Sequence, residues 1–365
     1  MQRLEKSGEL DRKLEWLPSD AVVIERDLKG GGLTRPELAV LMAYAKISLF
    51  NEIVASDVPD DPYLSRELKR YFPVAMQERF GDDIENHKLR REIIATMLAN
   101  SMINRGGPSF MAYIMGETSA GPAEIAGAFA AARDSFDFLE LNTMIDGLDA
   151  KIPGSLQNKL YAGLQRLLRW TTVWFLRHEE LGDGLQQLIE RYRDGLAKVN
   201  ASLSKTVPAS DLKEMQERQE ELERQNVPAV LAKKLASHRF LQRAPDIVKI
   251  AERTGAGIEA VAAVLFASGS DLSIERLVEE GNGLRARDLL ERQAINRLRA
   301  QVFESHRGIV TRIVKEKMSW SDWREKNQAR ANSVMEAMDT ILASKPFDIA
   351  RYAVAQGTLA DLAQR

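Results

Sequence analysis

The sequence contains no cysteine and only four histidines among its 365 residues. The missing cysteine excludes disulfides, thiolate nucleophiles and cysteine-ligated metals, and nothing points to an oxidising compartment. His87, His178, His238 and His306 lie far apart and form no HExxH-type pair, so they are expected as ordinary surface or boundary residues. An excess of one charge is also missing. Fifty-one Lys plus Arg against 53 Asp plus Glu leave a formal charge of -2, which supplies no field to gather a polyanion and argues against nucleic acid. No uncharged run approaches the roughly 18 residues that a membrane span needs, and the charged N-terminus MQRLEKSGELDRKLEW has no apolar leader. A soluble, cytoplasmic chain with no membrane partner is expected. Neither GxGxxG after a strand nor GxxxxGK[ST] occurs, and there is no GxSxG elbow. Ala267-Ser268-Gly269-Ser270 reads instead as the C-cap turn of a helix, and Asp60-Asp61 and Asp82-Asp83 read as solvated turn aspartates.

The chain does hold enough apolar residues, 44%, for proper cores. They recur at helical spacing, with no sustained period of two and no fixed repeat. The class is therefore all-α: a multi-helix orthogonal or bundle-like assembly, divided into two helical subdomains. Its centre is KLRREIIATMLANSMIN, Lys88 to Asn104, closed by Arg105-Gly106-Gly107-Pro108. At about 100° per residue, Leu89, Ile93, Ile94 and Met97 fall on one side and Ala95, Leu98 and Met102 on the other. A helix apolar nearly all round is expected to be surrounded by other helices. Arg90, Asn100, Ser101 and Asn104 share the arc of Ile93 and Met97, and both asparagines are expected to tie the helix to neighbouring loop carbonyls.

Upstream, Leu4, Leu10, Leu14 and Leu17 suggest a short helix stopped by Pro18. Thr34-Arg35-Pro36-Glu37 is a helix start with Thr34 at the N-cap and Glu37 placed for a capping box. In the helix that follows, Lys46 projects between Met42, Phe50 and Ile53 with no carboxylate one turn away, so its partner must come from elsewhere. Snorkelling or a distant acid explains it without a ligand. Pro153 opens a long helix to His178 in which Arg166, Arg169 and Arg177 flank an apolar stripe. A solvated flank accounts for them without phosphate or membrane. Ser204 to Ser210 reads as a boundary, Ser210 to Gln225 as an exposed strut, and Trp320 to Ser344 as one helix.

Three stretches, GLTRPELAVLMAYAKISLF (Gly32 to Phe50), DVPDDPYLSRELKRYF (Asp57 to Phe72) and LRREIIATMLANSMINRGGPSF (Leu89 to Phe110), resemble the far C-terminal part of the large bacterial NAD-specific glutamate dehydrogenases. Asp246 to Gly255 and Ile258 to Phe266 resemble it more loosely. The resemblance implies a parent enzyme that deaminates L-glutamate to 2-oxoglutarate and ammonium with hydride transfer to NAD. It places the NAD-binding catalytic domain upstream, so this chain is expected to bind no cofactor and to hold no catalytic residue. Residues 1–32 then form a linker with short helices, 33–204 the helical core and 205–365 a second subdomain. The motif positions Arg35, Glu37, Lys46, Arg90, Arg91, Asn100, Asn104 and Arg105 are expected to build the core or dock the catalytic domain. A Lys46→Met change should weaken such docking. The implied role is non-catalytic, in domain closure, assembly or regulation, with the upstream catalytic domain as partner and a homo-oligomer as the full-length state. The alternative is a free-standing helical interaction scaffold. An enzyme active by itself would need a nucleotide site that the sequence does not display.

Overall fold

The structure, a computed structural model, describes residues 1–182 and 184–364. Among the described residues every regular element is helical, twenty-one α-helices and two short 3-10 turns. They divide into two compact units that interleave along the chain. The first comprises Met1–Asp134 and Leu160–Ile189, and the second Ser135–Lys159 and Glu190–Arg365.

The first unit is built on two helices, Arg35–Val54 and Arg90–Gly106, which pack together. The first of these begins at the expected capping box. Thr34 accepts from the Glu37 N–H, and the Glu37 carboxylate accepts from the Thr34 N–H at 2.7 Å, so orphan backbone donors are satisfied reciprocally. The Arg90–Gly106 helix buries Ile94, Ala95, Leu98, Ala99, Met102, Ile103 and Gly106. It is not surrounded. Ile93 and Met97 are half-buried, Leu89 is exposed, and the polar arc of Asn100 and Asn104 keeps that side towards solvent. The polar residues, rather than the two hydrophobic ones among them, decide which side faces out.

Near the N-terminus the expected helix through Leu14 does not form. A helix spans only Gln2–Lys6, and Leu4, Leu10 and Leu17 cluster against Val40, Leu41 and Tyr44 of the Arg35–Val54 helix. Gly8 at φ +76° and Trp16 at φ +54° turn the chain so that three leucines with unequal spacing reach one spot, leaving Leu14 outside.

In the second unit the 27-residue helix Leu289–Lys315 packs along Ile349–Gln364 and against Ile258–Asp271. The expected strut is present as Ala209–Arg224, with Leu222 its buried residue, paired with Ala229–Leu241. Within Ser204 to Ser210 one helix continues to Thr206 and the next starts at Ala209. One expectation is corrected here. The single helix over Trp320 to Ser344 is two, Trp320–Lys326 and Gln328–Ala343, broken where the Asn327 side chain donates to the Trp323 carbonyl at 2.8 Å. An asparagine amide competing for a helix carbonyl is a local stop signal.

Candidate functional site

The residues singled out in the sequence do not form one constellation. Arg35 is exposed at the first turn of its helix, whereas Glu37 is half-buried. Glu37 takes an ion pair from Arg26 at 2.8 Å. The Thr34 N–H first, and Arg26 second, hold its carboxyl below the ordinary range. Arg91 is a clamp. One nitrogen donates to the carbonyls of Val54 at 2.9 Å and Ser56 at 2.8 Å, closing the C-terminal end of the neighbouring helix, and the other pairs with Asp60. Arg90 lies 3.9 Å from the same carboxylate. Asp60 is therefore an ion-pair partner, and Asp61 accepts from the N–H groups of Tyr63 and Leu64 as a turn cap, so neither is simply solvated. Arg105 is half-buried.

The asparagine expectation is overturned. Asn104 is exposed and Asn100 half-exposed, and neither side chain makes a hydrogen bond among the described residues. The Gly106 carbonyl that ends the helix is held instead by Gln165 and Arg169, each at 2.7 Å, from the helix Gly154–His178. Gly107 sits there at φ +85°, and an added Cβ would meet Gln165 Nε2 at 2.8 Å. Arg169 also lies over the Tyr113 ring, and burial without a carboxylate partner lowers its pKa. Arg177 donates to the Glu117 carbonyl at 2.9 Å. Both arginines thus cap helix ends rather than forming a solvated flank, because orphan C-terminal carbonyls attract cationic donors.

Two buried polar clusters escaped the sequence reading. In the first unit Arg133 is 2% exposed. It donates from Nη2 to Glu67 at 2.6 Å and from Nε and Nη2 to Asp134 at 2.8 Å each. Glu67 also receives Arg70 at 2.7 Å, and Asp134 the Tyr63 hydroxyl at 3.0 Å. Burial pushes the Asp134 carboxyl up, but its hydrogen bonds to Arg133 and that residue's charge outweigh it, and the group lies below the usual carboxylate range.

In the second unit His306 is fully buried, not a surface residue, between Arg243 and Ser268. Arg243 Nη2 lies 3.2 Å from His306 Nδ1, and His306 Nε2 lies 2.9 Å from Ser268 Oγ. A guanidinium can only donate, so Nδ1 accepts and Nε2 carries the hydrogen, donating it to Ser268. Ser268 donates onward to the Val264 carbonyl at 2.7 Å. His306 therefore has no lone pair facing the serine, and this is not a nucleophile and base. Burial first, and the Arg243 charge second, hold its pKa well below the ordinary value. Asp246, wholly buried, binds Arg243 at 3.1 Å and Arg307 at 3.0 Å. Ser268 and Gly269 lie inside the helix Ile258–Asp271 and not in a C-cap turn, and a Cβ at 269 would approach the His306 ring at 3.2 Å. The only sequence signal was the Ser-Gly pair inside an apolar run.

What remains open is a surface. Twelve of the fifteen exposed large apolar side chains among the described residues lie between Leu14 and Leu89, all in the first unit. Trp16 is 90% exposed and Leu28 83%, and the helix Asp20–Leu28 has no buried residue. On the Arg35–Val54 helix, a mostly apolar segment, only Leu49 and Ile53 are buried. Lys46 is half-buried there and makes no ion pair among the described residues. No helix among them is long and apolar enough to cross a membrane, and no group of three potential metal ligands occurs among them.

The NAD-specific glutamate dehydrogenase of Halomonas elongata is 36% identical over 79% of this chain, and that of Pseudomonas aeruginosa is 31% identical over the whole of this chain. The Mycobacterium tuberculosis protein of the same name is 26% identical over 95%. The chain spans about a fifth of these relatives, 18%, 23% and 22% of their lengths respectively. Residues 30–361 match the family described as glutamate dehydrogenase, C-terminal, and the chain belongs to that family.

Proposed function

We propose that this chain is a non-catalytic helical domain of an NAD-dependent glutamate dehydrogenase, supporting closure, assembly or regulation of a catalytic domain that lies upstream in the same polypeptide. The parent reaction converts L-glutamate, NAD and water to 2-oxoglutarate, ammonium and NADH. NAD belongs to the upstream domain and none is bound by this chain. In this reading the full-length enzyme is a cytoplasmic homo-oligomer.

The observation that carries the reading is the uneven surface. Scattered exposed apolar residues are normal, but their concentration in residues 14–89 leaves side chains such as Trp16, Leu28 and Ile47 in water in one unit. Aromatic and branched anchors of this kind are what a buried interface uses. The test is glutamate-dependent NADH formation by the upstream part of the polypeptide, with this chain titrated in as a separate piece. A saturable change in rate supports docking. No change, with both pieces folded, refutes a supporting role that acts without the covalent link.

A further inference from the structure

The Arg35–Val54 helix is covered on two sides and open on a third. Val40, Leu41 and Tyr44 meet the N-terminal leucine cluster, and the Tyr44 hydroxyl donates to Glu15 at 2.6 Å. Leu49 and Ile53 are buried on the second side. The third side carries Ala39, Ala43 and Ile47 at i, i+4 and i+8, with Phe50 on the same arc and Lys46 at its edge, next to the buried Ile53. Ala39 and Ala43 are exposed, Ile47 is 54% exposed, and Lys46 and Phe50 are half-buried.

Lys46 is the anomaly on that arc. Its helix neighbours one turn away, Met42, Ala43, Leu49 and Phe50, are all apolar, and among the described residues it makes no ion pair. Whatever covers Ile47 and Phe50 removes more water from Lys46, and a buried cation left unpaired is strongly unfavourable. The covering surface must bring an anion. A second copy of the same face does not supply one, since the charged residues on this arc are Arg35 and Lys46, while Glu37 and Glu52 project from other sides. Like charges would then meet across a two-fold contact. The family relatives, by contrast, carry about four-fifths of their length outside the region matched here.

We propose that Lys46 pairs with an Asp or Glu carboxylate contributed by the part of the polypeptide outside residues 1–365, when that part covers the open face of the Arg35–Val54 helix. The inference rests on the docking reading above and adds to it the chemistry of the partner at this point. The apolar residues supply area, and Lys46 supplies register, because only one placement sets a carboxylate opposite it.

Carbodiimide coupling of the full-length enzyme tests this. The reagent activates a carboxylate and joins it to a contacting ammonium as an amide, so a peptide containing Lys46 is expected to be linked to an acidic peptide from outside residues 1–365. The link should vanish in Lys46→Met. With the two pieces mixed in trans, Lys46→Met should weaken association by at least about tenfold while Lys46→Arg keeps most of it. Coupling of Lys46 only within its own region, only to a second copy, or not at all while other contacts between the two parts do couple, overturns the inference. Ile47→Asp separates this failure from that of the docking reading. If Ile47→Asp abolishes association and Lys46→Met leaves it intact, docking stands and the ion pair falls. If neither variant matters, docking through this face falls as well.

Discussion

Replacing Arg133 with methionine is the sharpest test of how the first unit is held together. Methionine matches much of the aliphatic stem and removes the guanidinium, which makes hydrogen bonds of 2.6, 2.8 and 2.8 Å to Glu67 and Asp134. The two carboxylates have side chains only 3% and 4% exposed. Glu67 would retain Arg70 at 2.7 Å, and Asp134 would retain the Tyr63 hydroxyl at 3.0 Å. Neither residual partner replaces a fully buried cation. Breaking a buried ion pair from one side typically costs about 3 to 5 kcal/mol, against about 0 to 1 for a surface pair. The loss should also depend on pH. With Arg133 present, the Asp134 carboxyl lies below its ordinary range, so it contributes stability above that range and loses it in acid. Without Arg133, burial raises it, and the contribution becomes one that is present in acid and disappears as pH rises through the new folded value. The variant's deficit is therefore expected to be larger at pH 7 than near pH 4. Urea unfolding of both chains at the two pH values, followed by circular dichroism, measures it. A deficit below about 1 kcal/mol at pH 7, or one that does not shrink in acid, refutes the reasoning.

Three further outcomes are expected. His306 is buried neutral with its pKa held well below 6.5, and His238 is pushed down to about 4 by burial and then by Lys234. Both are depressed cationic acids, so the unfolded chain binds more protons below pH 6.5, and stability should fall by up to about 1.4 kcal/mol per pH unit for each histidine. Urea midpoints at pH 7 and pH 5 show it, and a flat profile excludes it. Gly195→Ala should cost about 1 to 3 kcal/mol because the new Cβ collides with the Val248 side chain. Thermal melting should show recovery when Val248→Ala is added. Arg91→Met should lower stability by about 1 to 2 kcal/mol through loss of the Val54 and Ser56 carbonyl bonds. Once the protein is folded, it should leave association with the upstream part unchanged, unlike a change at Lys46.

Periodicity and caps were sufficient for the all-α class, for most helix positions and for the capping box at Thr34 and Glu37, since these depend on residues within one turn of each other. The glutamate dehydrogenase family was legible in long motifs from Gly32 to Phe110, and the family match spans 30–361. Tertiary structure decided what local pattern leaves open. Arg133 meets Glu67 across 66 residues and Arg243 meets His306 across 63. No spacing rule connects such pairs, because their approach is fixed by how whole helices pack. The same limit explains why Asn104 faces water while Arg169 holds the Gly106 carbonyl. A helical wheel orders side chains around one axis, but the direction of the core is set by neighbours far away in the chain.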